Sequence, residues 1–449
     1  MIPVVTPSEM AIIDEEASEP LHVLIERAGS AVAWHARKML KGTYGKRVTI
    51  IVGKGNNGAD GIEAAKCLQS WGVKVNVIQA DDDKAKVHGC DLLIDAAVGT
   101  GLKRPYYAPH FSGPTLSVDI PSGICGLTGE GQGKPFTAKA TITFQALKPG
   151  HLLADGPFHA GSIKIADIGL DVSTTRTFVL ERSDVTKILN TMNDREHKWT
   201  SACWVIGGSE GMNGAPLLSS QAALRSGSGY VRVSTPGGQG EVPSEIVGFD
   251  IPTEDWENHV IKSDFERFKA VVVGPGLGKT ETVRKAVINL LSAIHIPTVV
   301  DADALYAIGQ QNLNPSGFGE HIVLTPHDAE YKYLTGHKPA TNRVLDVCET
   351  AAKLKTVILL KGPTTIVSHP DGRCLLVNNG DQRLATAGTG DVLSGVIAGL
   401  LARGVSPFEA AACGAWIHAE AANNCLAEGM IASDIIRVLP EVLNAANVG

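Results

Sequence analysis

The stretch from Leu384 to Gly404, LATAGTGDVLSGVIAGLLARG, constrains the fold more than any other part of the sequence. Gly388 and Gly390 permit a tight turn, and the apolar run after Asp391 predicts a buried helix. The unpaired amides at the start of such a helix form an anion-binding site. They also favour the carboxylate of Asp391, which is then an ionised base beside a bound phosphate. The alternative is that Thr389 or Asp391 only caps a core helix.

The order AGTGDVLSG in this stretch resembles the anion hole and catalytic acid of ribokinase-like small-molecule kinases and their relatives. In that superfamily the glycines wrap a nucleotide phosphate, and the aspartate handles the proton of the substrate hydroxyl. The resemblance implies an α/β fold for the second half of the chain.

The first half contains another glycine-rich turn after a predicted strand. The apolar run from Arg47 to Val52 predicts a buried parallel strand, and Gly53, Gly55 and Gly58 follow it before a helical pattern. The next predicted strand ends at the acidic run from Asp81 to Asp83, which is the layout of a dinucleotide-binding fingerprint. Amide and carboxylate oxygens in the loop suit a cation or a polar ligand. A turn held by its own Asn and Asp side chains is the alternative.

Two further predicted strands of the first half end in polar or glycine-rich loops. One leads through Asp95 to the loop from Gly99 to Pro105, and the other leads to Asp119 and Ser122. Open α/β sheets bind ligands beyond the carboxyl ends of their strands, so we expect these loops to converge on one site. Burial after a strand is expected to raise the pKa of Asp119 towards the working range of an acid/base catalyst. A contact to the substrate ribose is the alternative role for Asp119.

These first-half motifs resemble the amino-terminal domain of the bifunctional NAD(P)H-hydrate repair enzyme family. They read GKGNNGADG, DAAVGTGL, VDIPSG and TFQALKPG. In that family the domain is an epimerase that interconverts the R and S forms of hydrated NADH and NADPH. The resemblance implies contacts with the hydrated nucleotide at Asn56, Asn57, Gly58, Ala59, Asp60, Gly99, Thr100, Gly101, Leu102, Lys103, Arg104, Pro105 and Asp119. It also implies a potassium site at Asn57, Asp95 and Ser122, since oxygen ligands suit a hard monovalent cation.

The second half repeats the pattern of strand, glycine-rich loop and helix. The loop from Gly207 to Gly214 is long enough to close over a substrate, and the run VVVGPGLG adds a second glycine-rich turn. Polar side chains follow the later predicted strands, at Asp301, Asp303, His327 and Lys361. The ammonium of Lys361 is placed to reach a phosphate at the anion-binding turn. Taken by itself, Lys361 is better explained as a solvated turn lysine, but beside an anion-binding turn it is not.

These motifs resemble, in order, the carboxy-terminal domain of the same family. That domain is a ribokinase-like dehydratase that uses a nucleotide, ADP in bacterial members, to drive loss of water from S-hydrated NADH or NADPH. The resemblance implies substrate contacts at Ala215, Gly276, His327 and Asp391, and nucleotide contacts at Lys361, Gly362, Pro363, Thr364, Thr365 and Gly390. The implied mechanism is phosphoryl transfer to the substrate hydroxyl with Asp391 as base. We expect Mg²⁺ to enter with ADP or ATP, because no ligand cluster marks a dedicated site.

Length and composition set the remaining expectations. A chain of 449 residues predicts two domains, and a composition that is 44% hydrophobic is typical of a soluble globular protein. The resemblance implies that both are αβα domains, Rossmann-like at 1–175 (epimerase) and ribokinase-like at 185–449 (dehydratase). The net charge of −7 gives no support to nucleic-acid binding, and no apolar run is long enough to span a membrane. The cysteines lack close pairs and indicate reduced thiols, so we expect a cytoplasmic protein, and we expect a homo-oligomer.

Two other functions remain open from the sequence. A ribokinase-like vitamin or sugar kinase fused to a dinucleotide-binding domain shares the GTGD turn but leaves the first-half motifs unexplained. A first half that binds or senses a dinucleotide without catalysis is the non-enzymatic alternative.

Overall fold

Short runs rich in valine, isoleucine and leucine form the central strands, because these side chains pack on both faces of a parallel sheet. The computed structural model describes residues 1–81, 87, 89–190, 192, 197–238, 240–309 and 317–447. The chain divides into two compact units, which we call the N-terminal unit (Ile2–Arg176) and the C-terminal unit (Thr177–Gly449, with Met1). The α/β class with parallel sheets is confirmed in both units.

The N-terminal unit is built on a parallel sheet that runs in the order β3-β2-β4-β6-β8-β9. The strands of this unit are β1 (Ile2–Val4), β2 (Arg47–Val52), β3 (Lys74–Gln79), β4 (Leu92–Ala96), β5 (Tyr106–Tyr107), β6 (Thr115–Val118), β7 (Gly133–Lys134), β8 (Ala140–Phe144) and β9 (Ser162–Ala166). β5 and β7 pair with each other. The chain runs from β2 outward to β3 and then crosses to β4 on the other side of β2. This change of direction opens a crevice at the carboxyl ends of β2 and β4.

Helices cover one face of this sheet and enclose its main core. They are α1 (Pro7–Glu15), α2 (Leu21–Leu40), α3 (Asn56–Ser70) and the short α4 (Gly156–Ala160). The predicted helix over Leu21–Leu40 and the predicted strand over Arg47–Val52 are confirmed. A smaller core lies on the other face, where residues of β2 and β4 pack against Ala108 and Phe136.

The glycine-rich stretch after β2 differs from the predicted loop, because α3 already begins at Asn56. A Cβ at Gly58 would lie 2.0 Å from the carbonyl oxygen of Gly53, so only glycine lets the first helical turn fold back onto the strand end. The Asn and Asp side chains of the motif are therefore carried by the first turns of a helix. Of the acidic run after β3, Asp82 and Asp83 lie outside the described residues.

The C-terminal unit has a larger sheet, in the order β10-β19-β18-β17-β16-β15-β14-β11-β12-β13. Its strands are β10 (Thr177–Val179), β11 (Ala202–Ile206), β12 (Tyr230–Ser234), β13 (Val247–Gly248), β14 (Ala270–Val273), β15 (Thr298–Val300), β16 (Ile322–Leu324), β17 (Val357–Leu360), β18 (Thr365–Ser368) and β19 (Cys374–Val377). β18 is antiparallel to both neighbours, and the other ladders are parallel. β10 lies between the two predicted domains, where the polar sequence gave no signal for a strand of three residues.

The helices of this unit are α5 (Arg182–Leu189), α6 (Gly214–Arg225), α7 (Trp256–Ile261), α8 (Glu281–Ala293), α9 (Asp303–Ile308), α10 (Asp328–Thr335), α11 (Arg343–Leu354), α12 (Thr389–Ala402), α13 (Pro407–Asn423) and α14 (Ala432–Asn447). Three of them, α6, α13 and α14, pack against α12, whose residues after Asp391 are buried throughout. A Cβ at Gly395 would lie 2.1 Å from the carbonyl oxygen of Ser219 in α6. Glycine at this position therefore lets α6 and α12 approach backbone to backbone, which fixes the start of α12.

All eight cysteines are free thiols, as their spacing predicted. Across the described ranges, no helix combines the length and apolar character that crossing a membrane requires.

Candidate active sites

A cavity of about 480 Å³ opens at the crevice of the N-terminal unit. Seven residues of the predicted epimerase site line it, namely Asn56, Asn57, Asp60, Gly99, Thr100, Gly101 and Asp119. They come from the start of α3 and from the loops after β4 and β6, so the predicted convergence of the strand ends is confirmed for these residues. The lining does not include Gly58, Ala59, Leu102, Lys103, Arg104 or Pro105. Gly58 instead serves the turn between β2 and α3.

A buried lysine that the site prediction missed holds Asp119 in this cavity. Lys148 is only 1% exposed, and its Nζ lies 2.7 Å from Asp119 Oδ1 and 2.9 Å from the hydroxyl of Thr143. His151 Nδ1 accepts a hydrogen bond from the Lys148 amide, so its Nε2 donates to the carbonyl oxygen of Asp119 at 2.8 Å. The motif TFQALKPG contains this lysine, and that motif was the available signal for it.

The structure corrects the expected pKa of Asp119. Burial acts to raise this pKa, but the Lys148 ammonium, through its charge and its hydrogen bond, lowers it below the ordinary value. Asp119 also has a left-handed backbone (φ +64°), which a non-glycine residue rarely adopts. The carboxylate is therefore ionised at neutral pH and available to accept a proton, and its lowered pKa makes it a weaker base than an ordinary aspartate.

The pKa values of two further acids in the cavity, Asp60 and Asp14, are shifted in the opposite direction, upward. Burial, followed by the charges of Asp119 and Asp14, raises the pKa of Asp60 to about 8. Asp14 of α1, which the sequence did not single out, also lines the cavity, and burial raises its pKa. The cavity thus places a neutral carboxylic acid near an ionised carboxylate, the combination that proton transfer in both directions requires.

Of the predicted potassium ligands, the structure joins Asp95 and Ser122. The Asp95 carboxylate is fully buried and accepts hydrogen bonds from the Ser122 amide (2.8 Å) and from the Ser117 hydroxyl (2.9 Å), while the Ser122 hydroxyl bonds its other oxygen. Burial raises its pKa to about 6. Asn57 lines the cavity beside the loop after β4, where a Cβ at Gly99 would be 3.4 Å from its side chain. The chemistry of a buried carboxylate among neutral oxygens fits a monovalent cation.

In the C-terminal unit, the predicted anion-binding turn forms at the start of α12. Gly388 caps the helix in a left-handed conformation (φ +87°), and Asp391 lies in the first turn. A Cβ at Gly390 would be 3.6 Å from Lys361 Nζ, so the ammonium lies directly against the helix start. The helix amides and Lys361 together make this corner attractive to an anion.

Lys361 is held there by two buried acids. Its Nζ lies 2.9 Å from Asp301 Oδ1 and 3.6 Å from Glu330 Oε2, and Asp301 also accepts a hydrogen bond from Ser394 of α12 at 2.7 Å. Burial acts to lower the pKa of Lys361, but these carboxylates raise it above the ordinary value. The predicted site contained Lys361 but neither acid, although Asp301 follows a strand in the motif DADAL.

The structure also corrects the expectation that the helix amides keep Asp391 ionised. Burial, and then the negative charge of Asp301, raise the pKa of Asp391 to about 7, with Lys361 acting in the opposite direction. Asp391 therefore titrates near neutral pH. A base with such a pKa balances availability against strength as a proton acceptor.

Two of the predicted substrate contacts, Ala215 and Gly276, lie next to each other, and a third, His327, lies at the start of α10. Gly276 has φ +67°, and a Cβ there would be 3.5 Å from the Cβ of Ala215, while Ser219 Oγ donates to the Asp391 carbonyl at 2.8 Å. His327 caps α10, because its Nδ1 accepts from the amides of residues 329 and 330. The Nε2 atom of His327 lies 3.5 Å from Glu330, and Glu330 in turn pairs with Lys361.

The predicted nucleotide contacts form the turn that joins β17 to β18. Gly362, Pro363 and Thr364 follow Lys361 in this turn, and Thr365 begins β18. Lys361 connects the turn to Gly390 at the start of α12. The structure thus brings together the β17–β18 turn, the start of α12 and Asp391, whose pKa is near neutral. This arrangement can bind a phosphate next to a proton acceptor.

The C-terminal unit is thus an α/β unit with an anion-binding turn at a helix start, and a separate α/β unit precedes it in the chain. A ribokinase-like superfamily protein from Enterococcus faecalis shares the fold of the second unit, with a TM-score of 0.53 over 62% of this chain and 98% of its own. At 24% identity, this likeness concerns the fold alone.

Sequence comparison identifies the family. Residues 203–441 match the family described as NAD(P)H-hydrate dehydratase, and residues 21–88 and 78–150 match the YjeF-related protein N-terminus. A bifunctional NAD(P)H-hydrate repair enzyme of Moorella thermoacetica is 31% identical over 98% of this chain and 96% of its own length. Its counterpart in Mycobacterium tuberculosis is 34% identical over 88% of both chains. The chain belongs to the bifunctional NAD(P)H-hydrate repair enzyme family.

A solved structure agrees with this membership. The ADP/ATP-dependent NAD(P)H-hydrate dehydratase from Bacillus subtilis, co-crystallised with ATP and Mg²⁺, is 30% identical, with a TM-score of 0.52. It covers 60% of this chain and 98% of its own length.

Proposed function

We propose that this chain repairs hydrated NADH and NADPH in two steps. The N-terminal unit, with residues 1–175 as the epimerase domain, interconverts the R and S hydrates. The C-terminal unit, with residues 185–449 as the dehydratase domain, converts the S hydrate back to NADH or NADPH at the expense of ADP or ATP. The observation that carries this proposal is the presence of two separate, chemically complete sites in a chain of this family.

In the dehydratase step, Asp391 accepts the proton of the substrate hydroxyl. The hydroxyl oxygen attacks the terminal phosphorus of the nucleotide, and the bond from that phosphorus to the departing nucleotide breaks. Lys361 and the amides at the start of α12 stabilise the negative charge that develops on the phosphoryl oxygens. The new phosphate ester then leaves as inorganic phosphate, while the ring loses a proton and regains its double bond.

The substrate and nucleotide sets of the dehydratase meet at the start of α12, where Asp391 of the substrate set follows Gly390 of the nucleotide set. Ala215, Gly276 and His327 hold the hydrated nicotinamide nucleotide. Lys361 to Thr365 and Gly390 hold the nucleotide that supplies the phosphoryl group. Mg²⁺ would neutralise charge on the phosphates and would enter with the nucleotide, as it accompanies ATP in the related Bacillus subtilis structure.

In the epimerase step, the ionised Asp119 accepts a proton from one epimer of the hydrate and returns it as the other epimer forms. The cavity around it holds the substrate through the first turns of α3, Asn56 to Asp60, and the loop Gly99 to Pro105, whose first three residues line the cavity. Asn57, Asp95 and Ser122 would hold K⁺, which would order these segments, and the buried Asp95 carboxylate supports this placement. For the whole chain we further propose a cytoplasmic homo-oligomer whose partners are these nucleotides and not nucleic acid or a membrane.

The test is to incubate the protein with a mixture of R and S hydrated NADH plus ADP and to follow the absorbance of NADH. Full recovery of NADH, faster than the hydrates epimerise spontaneously, is expected. Recovery of only the S fraction at the catalysed rate contradicts the epimerase assignment. No recovery, with phosphorylation of a vitamin or a sugar instead, favours the alternative of a ribokinase-like kinase.

A further inference from the structure

An ion pair outside the residues assigned so far lies beside the β17–β18 turn. The guanidinium of Arg343 donates two hydrogen bonds to the Asp328 carboxylate, at 2.9 and 2.6 Å. Arg343 begins α11 and Asp328 begins α10, so the pair joins two helix starts at the same edge of the sheet. The Asp328 side chain is 56% exposed and that of Arg343 is 24% exposed. The pair is therefore open to solvent and to a ligand.

Arg343 also touches the turn that we propose binds the nucleotide. A Cβ at Gly362 would lie 3.7 Å from Arg343 Nη2, while the neighbouring Lys361 directs its ammonium towards Gly390. The turn thus has a cation on each side of Gly362. A nucleotide whose phosphates run along the backbone of this turn would meet both charges.

The charges around Lys361 show why a second cation is needed. Lys361 already pairs with Asp301 and Glu330, both buried. Asp391 adds a further acid to the same corner. The positive charge of Lys361 is therefore largely balanced before a polyanionic nucleotide arrives. A guanidinium that is paired with an exposed carboxylate can release the carboxylate and bind a phosphate instead. Each of these anions offers two oxygens to the parallel N–H donors of the planar guanidinium.

We propose that Arg343 binds the phosphate groups of the nucleotide and that Asp328 competes for the same guanidinium. This inference rests on the proposed dehydratase function of the C-terminal unit. Asp328 holds the guanidinium beside Gly362 when no nucleotide is present and is displaced when the phosphates bind. Competition from Asp328 therefore weakens the binding of the nucleotide. The ion pair also connects α10, which begins after His327, to the nucleotide turn.

The experiment measures the dissociation constant of ADP for the full chain by calorimetry, with adenosine as a ligand without phosphates. Arg343→Met is expected to weaken the binding of ADP by at least ~10-fold, because it removes charge-assisted hydrogen bonds. The binding of adenosine should stay unchanged. Arg343→Lys should fall between Met and the wild type, because it keeps the charge but loses the fork. Asp328→Asn is expected to strengthen the binding of ADP, because it frees the guanidinium of Arg343. In the Arg343→Met background, Asp328→Asn should have no effect.

A matched control pair lies at the other end of the β18–β19 hairpin, where Arg373 Nε donates to Asp371 at 2.8 Å. Arg373→Met and Asp371→Asn should leave ADP binding unchanged. If Asp328→Asn weakens the binding of ADP as Arg343→Met does, the ion pair only supports the fold and the inference is wrong. If the wild type binds ADP and Arg343→Met binds it equally well, this inference alone fails. If the wild type does not bind ADP, the proposed function fails with it.

Discussion

The pH dependence of dehydration tests the role of Asp391 most directly. Burial and the charge of Asp301 raise its pKa to about 7. With that pKa, the carboxyl is about 9% ionised at pH 6 and about 91% ionised at pH 8, from the ordinary titration equation. If the ionised form is the base, kcat/KM, which reports the pKa values of the free enzyme, rises ~10-fold over this range and then levels. With the ordinary pKa of an aspartate, near 4, the rate would be flat.

The assay follows NADH absorbance with pure S hydrate and ADP, both well below their KM values, between pH 5.5 and 9. The ADP phosphates also titrate near this range, so Asp391→Asn serves as the control. Asn keeps the size of the side chain but cannot accept the proton, and its rate should be lower by at least ~100-fold. The residual rate of this variant reports any pH effect that does not depend on Asp391. Dividing one profile by the other isolates the titration of Asp391.

Two results would refute this reasoning. A correctly folded Asp391→Asn variant with near-normal turnover would show that the carboxylate is not the base. A wild-type profile that, after division, stays flat from pH 6 to pH 8 would show that the buried acids around Lys361 do not set the pKa of Asp391. The second result leaves the catalytic role intact but removes the electrostatic explanation.

Three further predictions concern the other site and the packing. Replacing potassium with lithium should slow epimerisation and spare dehydration of pure S hydrate, and an equal response of both activities would contradict a site at Asn57, Asp95 and Ser122. Asp119→Ala and Lys148→Met should each abolish catalysed epimerisation but not S-hydrate dehydration; rescue of Asp119→Ala by saturating substrate would indicate a binding contact only. Gly395→Ala should destabilise the C-terminal unit by about 1–3 kcal/mol in urea unfolding, because its Cβ would lie 2.1 Å from the Ser219 carbonyl, whereas Gly214→Ala meets no atom within 4 Å and should not.

The parts of the fold that the sequence predicted correctly depend on local pattern. The apolar period of Leu21–Leu40 and the apolar run Arg47–Val52 each determine one element without help from distant residues. The glycine-rich turns were also visible, since a turn against a strand end leaves no room for a side chain. The start of α3 at Asn56 was not predicted, because the contact that permits it joins Gly58 to the backbone of Gly53 only in the folded unit.

The electrostatics of the two sites could not be predicted from the same patterns. Asp119 and Asp391 were both recognised as acids at the edge of a buried element, and each was assigned a pKa shift in the wrong direction. Lys148 lies against Asp119 and lowers its pKa, whereas burial and Asp301 act on Asp391 and raise its pKa. Both partners are distant in sequence, and only the sheet order brings them close. A motif therefore shows where an acid lies, while the charge of the residue that the fold places against it decides its protonation state at neutral pH.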